Sequence, residues 1–250
     1  MDLKGRTALV TGGGTGLGRA IGLALARRGC AIAVNYSRSE EEARDTVREI
    51  QAAGVQAIAL RGDVADWQAA RDLVEQAERA LGPVDILVNN AGVTRYIEFR
   101  DLELVGREDW QTIMDVNVGG AFACARAVAP GMTKRGGGRI LNVASNSGLT
   151  ADGSSIPYVV SKAAVIALTA ALARALAPVV LVNAIAPGWM ETRWLERYLP
   201  EDRRAALSHA LVPPVAVEDV AAAAVALISN DSISGEVLVV DRGERLHPTG

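Results

Sequence analysis

Short, almost wholly apolar runs alternate along this chain with longer stretches whose apolar positions return every three or four residues. The first pattern predicts strands over residues 6–10, 31–36, 55–60, 85–88, 139–143, 179–185 and 237–240. The second predicts helices between them. One, with Ala20, Ile21, Leu23, Ala24 and Leu25 on its apolar face, is closed by Arg27-Arg28-Gly29. Others cover about 40–53 (ended by Gly54), 67–81 (ended by Gly82-Pro83), 110–134, 158–177 (stopped by Pro178) and 217–228. Residues 93–108 read as a loop of mixed character. Residues 189–214, more polar and rich in proline, read as a flap that covers a substrate. Strict alternation of apolar strands with helices predicts a doubly wound parallel sheet of about seven strands with helices on both faces. No linker, repeat or low-complexity tract interrupts it, so residues 1–250 are expected to form one α/β domain.

Composition narrows the partners. Half of the residues are hydrophobic and 4% aromatic, and the net charge is −3 without a basic run, which argues against nucleic acid. The N-terminus lacks the apolar stretch of a signal peptide, and no uninterrupted apolar segment has membrane-spanning length. Cys30 and Cys124 lie far apart without metal-ligand spacing, so buried thiols in a reducing cytoplasm are expected. His209 and His247 belong to no constellation, and no metal site is expected.

Three stretches carry chemistry. Between the first strand and helix stands Thr11-Gly12-Gly13-Gly14-Thr15-Gly16-Leu17-Gly18. Glycines there let backbone approach a pyrophosphate, and the helix N-terminus beyond offers unpaired N–H groups and a positive dipole end. At the end of the second strand, where an acid would hold a free ribose 2′-hydroxyl, stand Tyr36 and Arg38, with no carboxylate until Glu40. Arg38 is either a fork for a 2′-phosphate or a solvated loop charge; the first favours NADP(H) over NAD(H). Asp63 is suited either to an adenine amino group or to capping the next helix. Tyr158 and Lys162, four apart on a helix, share one face, where the ammonium is expected to draw the phenol's pKa down from about 10.

With the glycine turn, Asn89-Asn90-Ala91-Gly92, Ser145 and Tyr158-x-x-x-Lys162 in this order, the chain resembles the classical short-chain dehydrogenase/reductase family over essentially its whole length. Ser145 precedes Tyr158 by the family's usual thirteen positions (158 − 145). The resemblance implies a single-domain Rossmann fold and a nicotinamide cofactor. It implies that Thr11, Gly12, Thr15, Gly16, Leu17 and Gly18 form the cofactor turn and that Asp63 and Val64 hold the adenine. Asn90, Ala91 and Gly92 flank the crevice while Asn89 braces the central strands. Asn117, Ser145, Tyr158 and Lys162 match the catalytic four, with Tyr158 and Lys162 also touching cofactor. Asn117 would anchor a water for proton exchange; alone, it is equally suited to bonding backbone in its own helix. Pro187, Gly188 and Thr192 match the segment that folds over the nicotinamide.

Within the family the pattern is most like 3-oxoacyl-acyl-carrier-protein reductases. A small-molecule carbonyl or alcohol substrate is implied, with an acyl carrier protein thioester as one form of it, and a homotetramer as the assembly. An NAD(H)-dependent sugar, polyol or other secondary-alcohol dehydrogenase is the alternative, and a non-catalytic cofactor-sensing regulator a more distant one. Three places depart from the pattern. Thr15 stands where many phosphate-preferring members carry a basic residue, the strand entry after Pro178 is short, and Asp241-Arg242-Gly243 replaces the usual Gly-Gly.

Overall fold

The computed structural model describes residues 1–208 and 212–246; His209, Leu211 and His247 lie outside them. In chain order come β1 (Thr7–Val10), α1 (Gly16–Ala26), β2 (Ala31–Tyr36), α2 (Glu40–Ala52), β3 (Ala57–Arg61), α3 (Trp67–Leu81) and β4 (Val84–Asn89). There follow α4 (Arg107–Met114), α5 (Ala121–Lys134), β5 (Gly138–Val143), α6 (Ser147–Thr150), α7 (Ile156–Leu176) and β6 (Val180–Pro187). The chain closes with α8 (Arg193–Tyr198), α9 (Glu201–Ser208), α10 (Val217–Ser229) and β7 (Val237–Val240). All seven strands pair in parallel in the order β3-β2-β1-β4-β5-β6-β7. This is the Rossmann arrangement expected from the sequence. Its winding reverses between β1 and β4, so a crevice opens at their carboxyl ends.

The strands are apolar throughout because both faces are covered. On one face Ile21 and Leu25 of α1, Ile50 of α2 and Val220 and Val225 of α10 pack on Ile32, Val34 and Ile86. On the other, Leu73 of α3, Cys124, Val128 and Met132 of α5 and Leu172 of α7 pack on Leu9, Leu87 and Ile140. Both cysteines are buried free thiols.

The predicted 110–134 helix begins three residues earlier and is not uniform. Between α4 and α5 the turn Asp115–Gly120 is wound as a π-helix, and Asn117 lies on it. The polar 189–214 segment contains α8 and α9, two short helices. α7, at 21 residues, is long and apolar enough by composition to cross a membrane, but Lys162 and Arg174 interrupt it. In this fold it lies against β6, with Ser161, Lys162 and Thr169 buried.

A buried polar chain fixes the rotation of α7. Asn89 Nδ2 donates to Ala121 O (3.1 Å) and Asn142 Oδ1 (2.9 Å), Asn142 Nδ2 to Thr169 Oγ1 (2.9 Å), and Thr169 Oγ1 to Val165 O (2.8 Å). Asn89→Ala removes the donor to two buried acceptors. It is expected to lower unfolding free energy by about 1–3 kcal/mol, read as a lower urea midpoint at unchanged m-value.

Candidate active site

The crevice is a single open cleft of ≈ 2010 Å³ running from the glycine turn past the end of β2 to the C-terminal ends of β5 and β6. At its floor β1 and β4 are stitched together. Thr11 N donates to Val88 O (3.0 Å), and the Thr11 hydroxyl accepts from the Asn90 and Ala91 amides at 2.9 and 3.0 Å. Asn90 Nδ2 donates to Thr11 O and Gly12 O at 2.9 and 3.0 Å, so Asn90 and Thr11 brace the turn. Gly12 sits at φ +59°, and a β-carbon on Gly18 would stand 2.4 Å from Asn90 Nδ2. These two glycines are therefore set by close packing. Thr15 precedes α1 without a side-chain cap, which leaves the first N–H groups of the helix open toward the cleft. Gly16 has nothing nearer to its β-position than Thr192 at 3.9 Å. A backbone cradle with open N–H groups and bare glycine fits a pyrophosphate.

Tyr36 is buried and Arg38 exposed at the cleft wall; Arg38 has no hydrogen bond or ion pair among the described residues. Asp63 and Val64 line the same region. The cap of α3 is Asp66, whose Oδ1 accepts from Gln68 N (2.8 Å) and Ala69 N (3.2 Å), while Asp63 Oδ1 takes only the Ala65 amide (3.0 Å). The capping role left open for Asp63 thus belongs to Asp66. Asn35, which the sequence reading passed over, is buried beneath the turn; its Oδ1 accepts from Gly12 N at 3.3 Å and its Nδ2 donates to Gly62 O at 3.0 Å. A polar residue inside an otherwise apolar strand was its only signal.

At the other end, α7 brings Tyr158 and Lys162 to the cleft and β5 brings Ser145. Ser145 stands near enough to Tyr158 to lower its pKa, Lys162 Nζ donates to Val143 O (2.8 Å), and Nζ lies 5.7 Å from the Tyr158 ring centroid. Ser145 Oγ also accepts from Ser147 N at 3.2 Å. Asn117 does not line the cleft. Its Oδ1 accepts from Val93 N (2.8 Å), and its Nδ2 donates to Val93 O (3.0 Å) and Ser161 Oγ (2.9 Å). It thereby ties the loop after β4 to α7, and its side chain does not bond its own helix. A β-carbon on Gly92 would be 3.3 Å from Asn117 Oδ1, 3.7 Å from Trp194 Cη2 and 3.8 Å from Lys162 Nζ. Those groups converge on bare backbone.

The expected lowering of the Tyr158 pKa is not found in the chain alone. Burial pushes it up to about 12, against a smaller opposing pull from Ser145, and burial pushes Lys162 down to about 8. Removal from water is the largest influence on both groups.

Pro187 and Gly188 end β6 at the cleft, and Thr192 caps α8 by accepting from Trp194 N at 3.3 Å. The flap is tied down at three points that sequence did not reveal. Arg193 Nη1 bonds Glu42 Oε1 of α2 (2.5 Å), and Arg203 grips both oxygens of Glu98 (2.7 and 2.8 Å) and the Tyr96 hydroxyl. Where the segment leaves β6, Glu244 Oε2 accepts from Trp189 N at 3.0 Å, and its carboxyl is pushed up by burial against opposing hydrogen bonds from Trp189 and Asn146. Residues this distant in sequence leave no local pattern. The departure at 241–243 was the one trace of Glu244's setting, since Asp241 organises the turn by accepting from Gly243 N and Arg245 N.

A reversed-winding parallel sheet, a phosphate cradle at its switch point and a Ser-Tyr-Lys cluster across the cleft define a dinucleotide-binding oxidoreductase. A sequence model described as short chain dehydrogenase matches residues 6–203, and the chain belongs to that family. It is 38% identical over 242 residues, 96% of each chain, to a granaticin polyketide synthase protein of Streptomyces violaceoruber. It is 34% identical over 242 residues (95% of this chain, 97% of the other) to the 3-oxoacyl-[acyl-carrier-protein] reductase FabG of Staphylococcus aureus. A Burkholderia cenocepacia short chain dehydrogenase solved in complex with NADP superposes at a TM-score of 0.88 with 34% identity, covering 98% of this chain and 99% of that one.

The Lys162 shift has a signed consequence. Between pH 8 and its unfolded pKa near 10.5 the unfolded chain holds a proton that the folded chain lacks, so this group makes stability rise with pH across that window. Urea unfolding at pH 7.5 and 10 is expected to show wild type gaining relative to Lys162→Met, by at most about 3 kcal/mol. A difference independent of pH would contradict the depressed pKa.

Proposed function

We propose that the chain is an NADP(H)-dependent oxidoreductase interconverting a carbonyl and a secondary alcohol, most like a 3-oxoacyl-acyl-carrier-protein reductase. The gathering of Ser145, Tyr158 and buried Lys162 on the wall of one cleft carries this reading. A nicotinamide cofactor bound in the cradle supplies the hydride. Ser145 and Tyr158 donate hydrogen bonds to the substrate's carbonyl oxygen as negative charge grows there, and Tyr158 delivers the proton. A phenol pushed up to about 12 stays protonated at neutral pH, as a donor in the reducing direction must. The Lys162 ammonium holds the cofactor's ribose hydroxyls and stabilises the phenolate left after transfer. Asn117 keeps Val93 and its loop in place and retains one accepting lone pair for a water that returns the proton.

Preference for NADP(H) is supported by Arg38, which has no ion pair among the described residues, stands at the cleft wall and is suited to a 2′-phosphate. The NAD(H)-dependent alcohol dehydrogenase alternative draws on Thr15, which adds no positive charge at the turn. A thioester on acyl carrier protein finds limited basic surface near the entrance. Arg95 is engaged by Asp109 at 2.5 Å, leaving Arg100 and Arg107. A homotetramer is supported by the outer face of α7, where Val160, Ala163, Ala167, Ala170 and Ala171 stand exposed and small. Buried thiols suit a reducing cytoplasm.

Tyr158→Phe is expected to lower kcat/KM for ketone reduction by about 100-fold or more, followed by cofactor oxidation. Near-wild-type turnover in that variant removes Tyr158 as the proton donor. Arg38→Ala should reduce the ratio of kcat/KM for NADPH over NADH by roughly tenfold. An unmoved ratio assigns Arg38 to the solvated surface.

A further inference from the structure

Aromatic side chains are scarce in this chain, 4 Trp, 4 Tyr and 2 Phe, yet only Trp67, Trp110 and Phe122 lie away from the cleft. Tyr36 stands at the end of β2, and the other six, Tyr96, Phe99, Tyr158, Trp189, Trp194 and Tyr198, gather around the substrate half. They are ordered relative to one another. The Trp194 ring centroid lies 6.1 Å from that of Tyr158 at 47° and 4.6 Å from that of Tyr198 at 56°. This aromatic wall begins at the proposed proton donor and continues outward along α8. Trp189 is held at both ends, its backbone N–H by Glu244 and its Nε1 by Val212 O at 3.2 Å. Tyr96 is fixed by Glu98 and Arg203.

Several charges in the same half are already engaged, while Arg197 lies over the Tyr198 ring and Glu196 makes no ion pair among the described residues. Glu98 pairs with Arg203, Glu244 takes the Trp189 amide, and Arg245 lies 3.7 Å from Asp241. Next to the carbonyl position a substrate meets the Trp194 ring, with aliphatic side chains such as Leu149, Met190 and Leu195 beyond it. An aromatic ring favours flat, polarisable rings in offset or edge-to-face contact over a flexible chain, which must also surrender rotamer freedom.

Resting on the reductase reading above, we propose that the substrate is a flat, ring-bearing ketone whose ring packs on Trp194 while its carbonyl meets Ser145 and Tyr158, and that Trp194 determines this specificity. A contact of this kind is worth up to about tenfold. Three probes separate shape from hydrophobicity: 2-tetralone, its saturated counterpart 2-decalone, and the chain-like acetoacetyl-N-acetylcysteamine. In wild type, kcat/KM is expected to be about tenfold higher for 2-tetralone than for either of the others. Trp194→Ala should erase that preference and Trp194→Phe largely keep it; because the readout is a ratio, a general loss of activity cancels. A wild type that favours the thioester, or an unchanged ratio in Trp194→Ala, overturns the proposal while leaving the reductase reading intact. If no probe is reduced with NADPH or NADH, the reductase reading fails, and calorimetric titration with 2-tetralone judges the aromatic wall separately. Saturable binding weakened in Trp194→Ala supports it, and absent or unaltered binding overturns it.

Discussion

A lysine ammonium taken out of water is the constraint around which this fold is arranged. Among the described residues the Lys162 ammonium makes one hydrogen bond, to the Val143 carbonyl at the end of β5, and its burial is costly enough to pull its pKa down to about 8. The cost is tolerable because the helix that carries it cannot rotate away. Asn89, Asn142 and Thr169 lock α7 to β4 and β5 through bonds entirely within the protein. Asn117 and Ser161 lock it to the loop after β4. The same restraints deliver the phenol of Tyr158 to the cleft beside Ser145. Polar groups paired with one another in the interior are expensive to misplace, which makes them good at fixing one geometry.

Much of this was legible along the chain because parallel sheets write themselves plainly. Seven apolar runs separated by helical periodicities gave the strand count, and the glycine turn and Tyr158-x-x-x-Lys162 lie on contiguous stretches. What escaped depends on distance in space. The π-wound turn at Asp115–Gly120 is built of weak helix formers, Val116, Asn117, Val118, Gly119 and Gly120, which mark a soft stretch but not how it winds. Asp63 and Asp66 both suit a cap, and only backbone geometry selects Asp66. The direction of the Tyr158 shift was misjudged because sequence gives the neighbouring charge but not the desolvation, which is the largest influence.

The two halves of the cleft are built on different principles. The glycine-turn half is backbone and small residues, its shape set by Asn35, Asn90 and Thr11 reaching between strands. The flap half is large side chains on short helices, held by ion pairs from Arg193 and Arg203. The former suits a ligand part shared by many relatives, and the latter is where one relative comes to differ from another.

The stitching of β1 to β4 also bears on the order in which the protein acquires its parts. The glycine turn is contiguous in sequence, yet its floor is closed by Asn90, whose amide bonds span 78 and 79 positions. A growing polypeptide released only through β3 therefore has the glycines without the asparagine that shapes them. The shaped turn thus depends on the first 90 residues folding together, and it forms only after the motif that announces it has emerged.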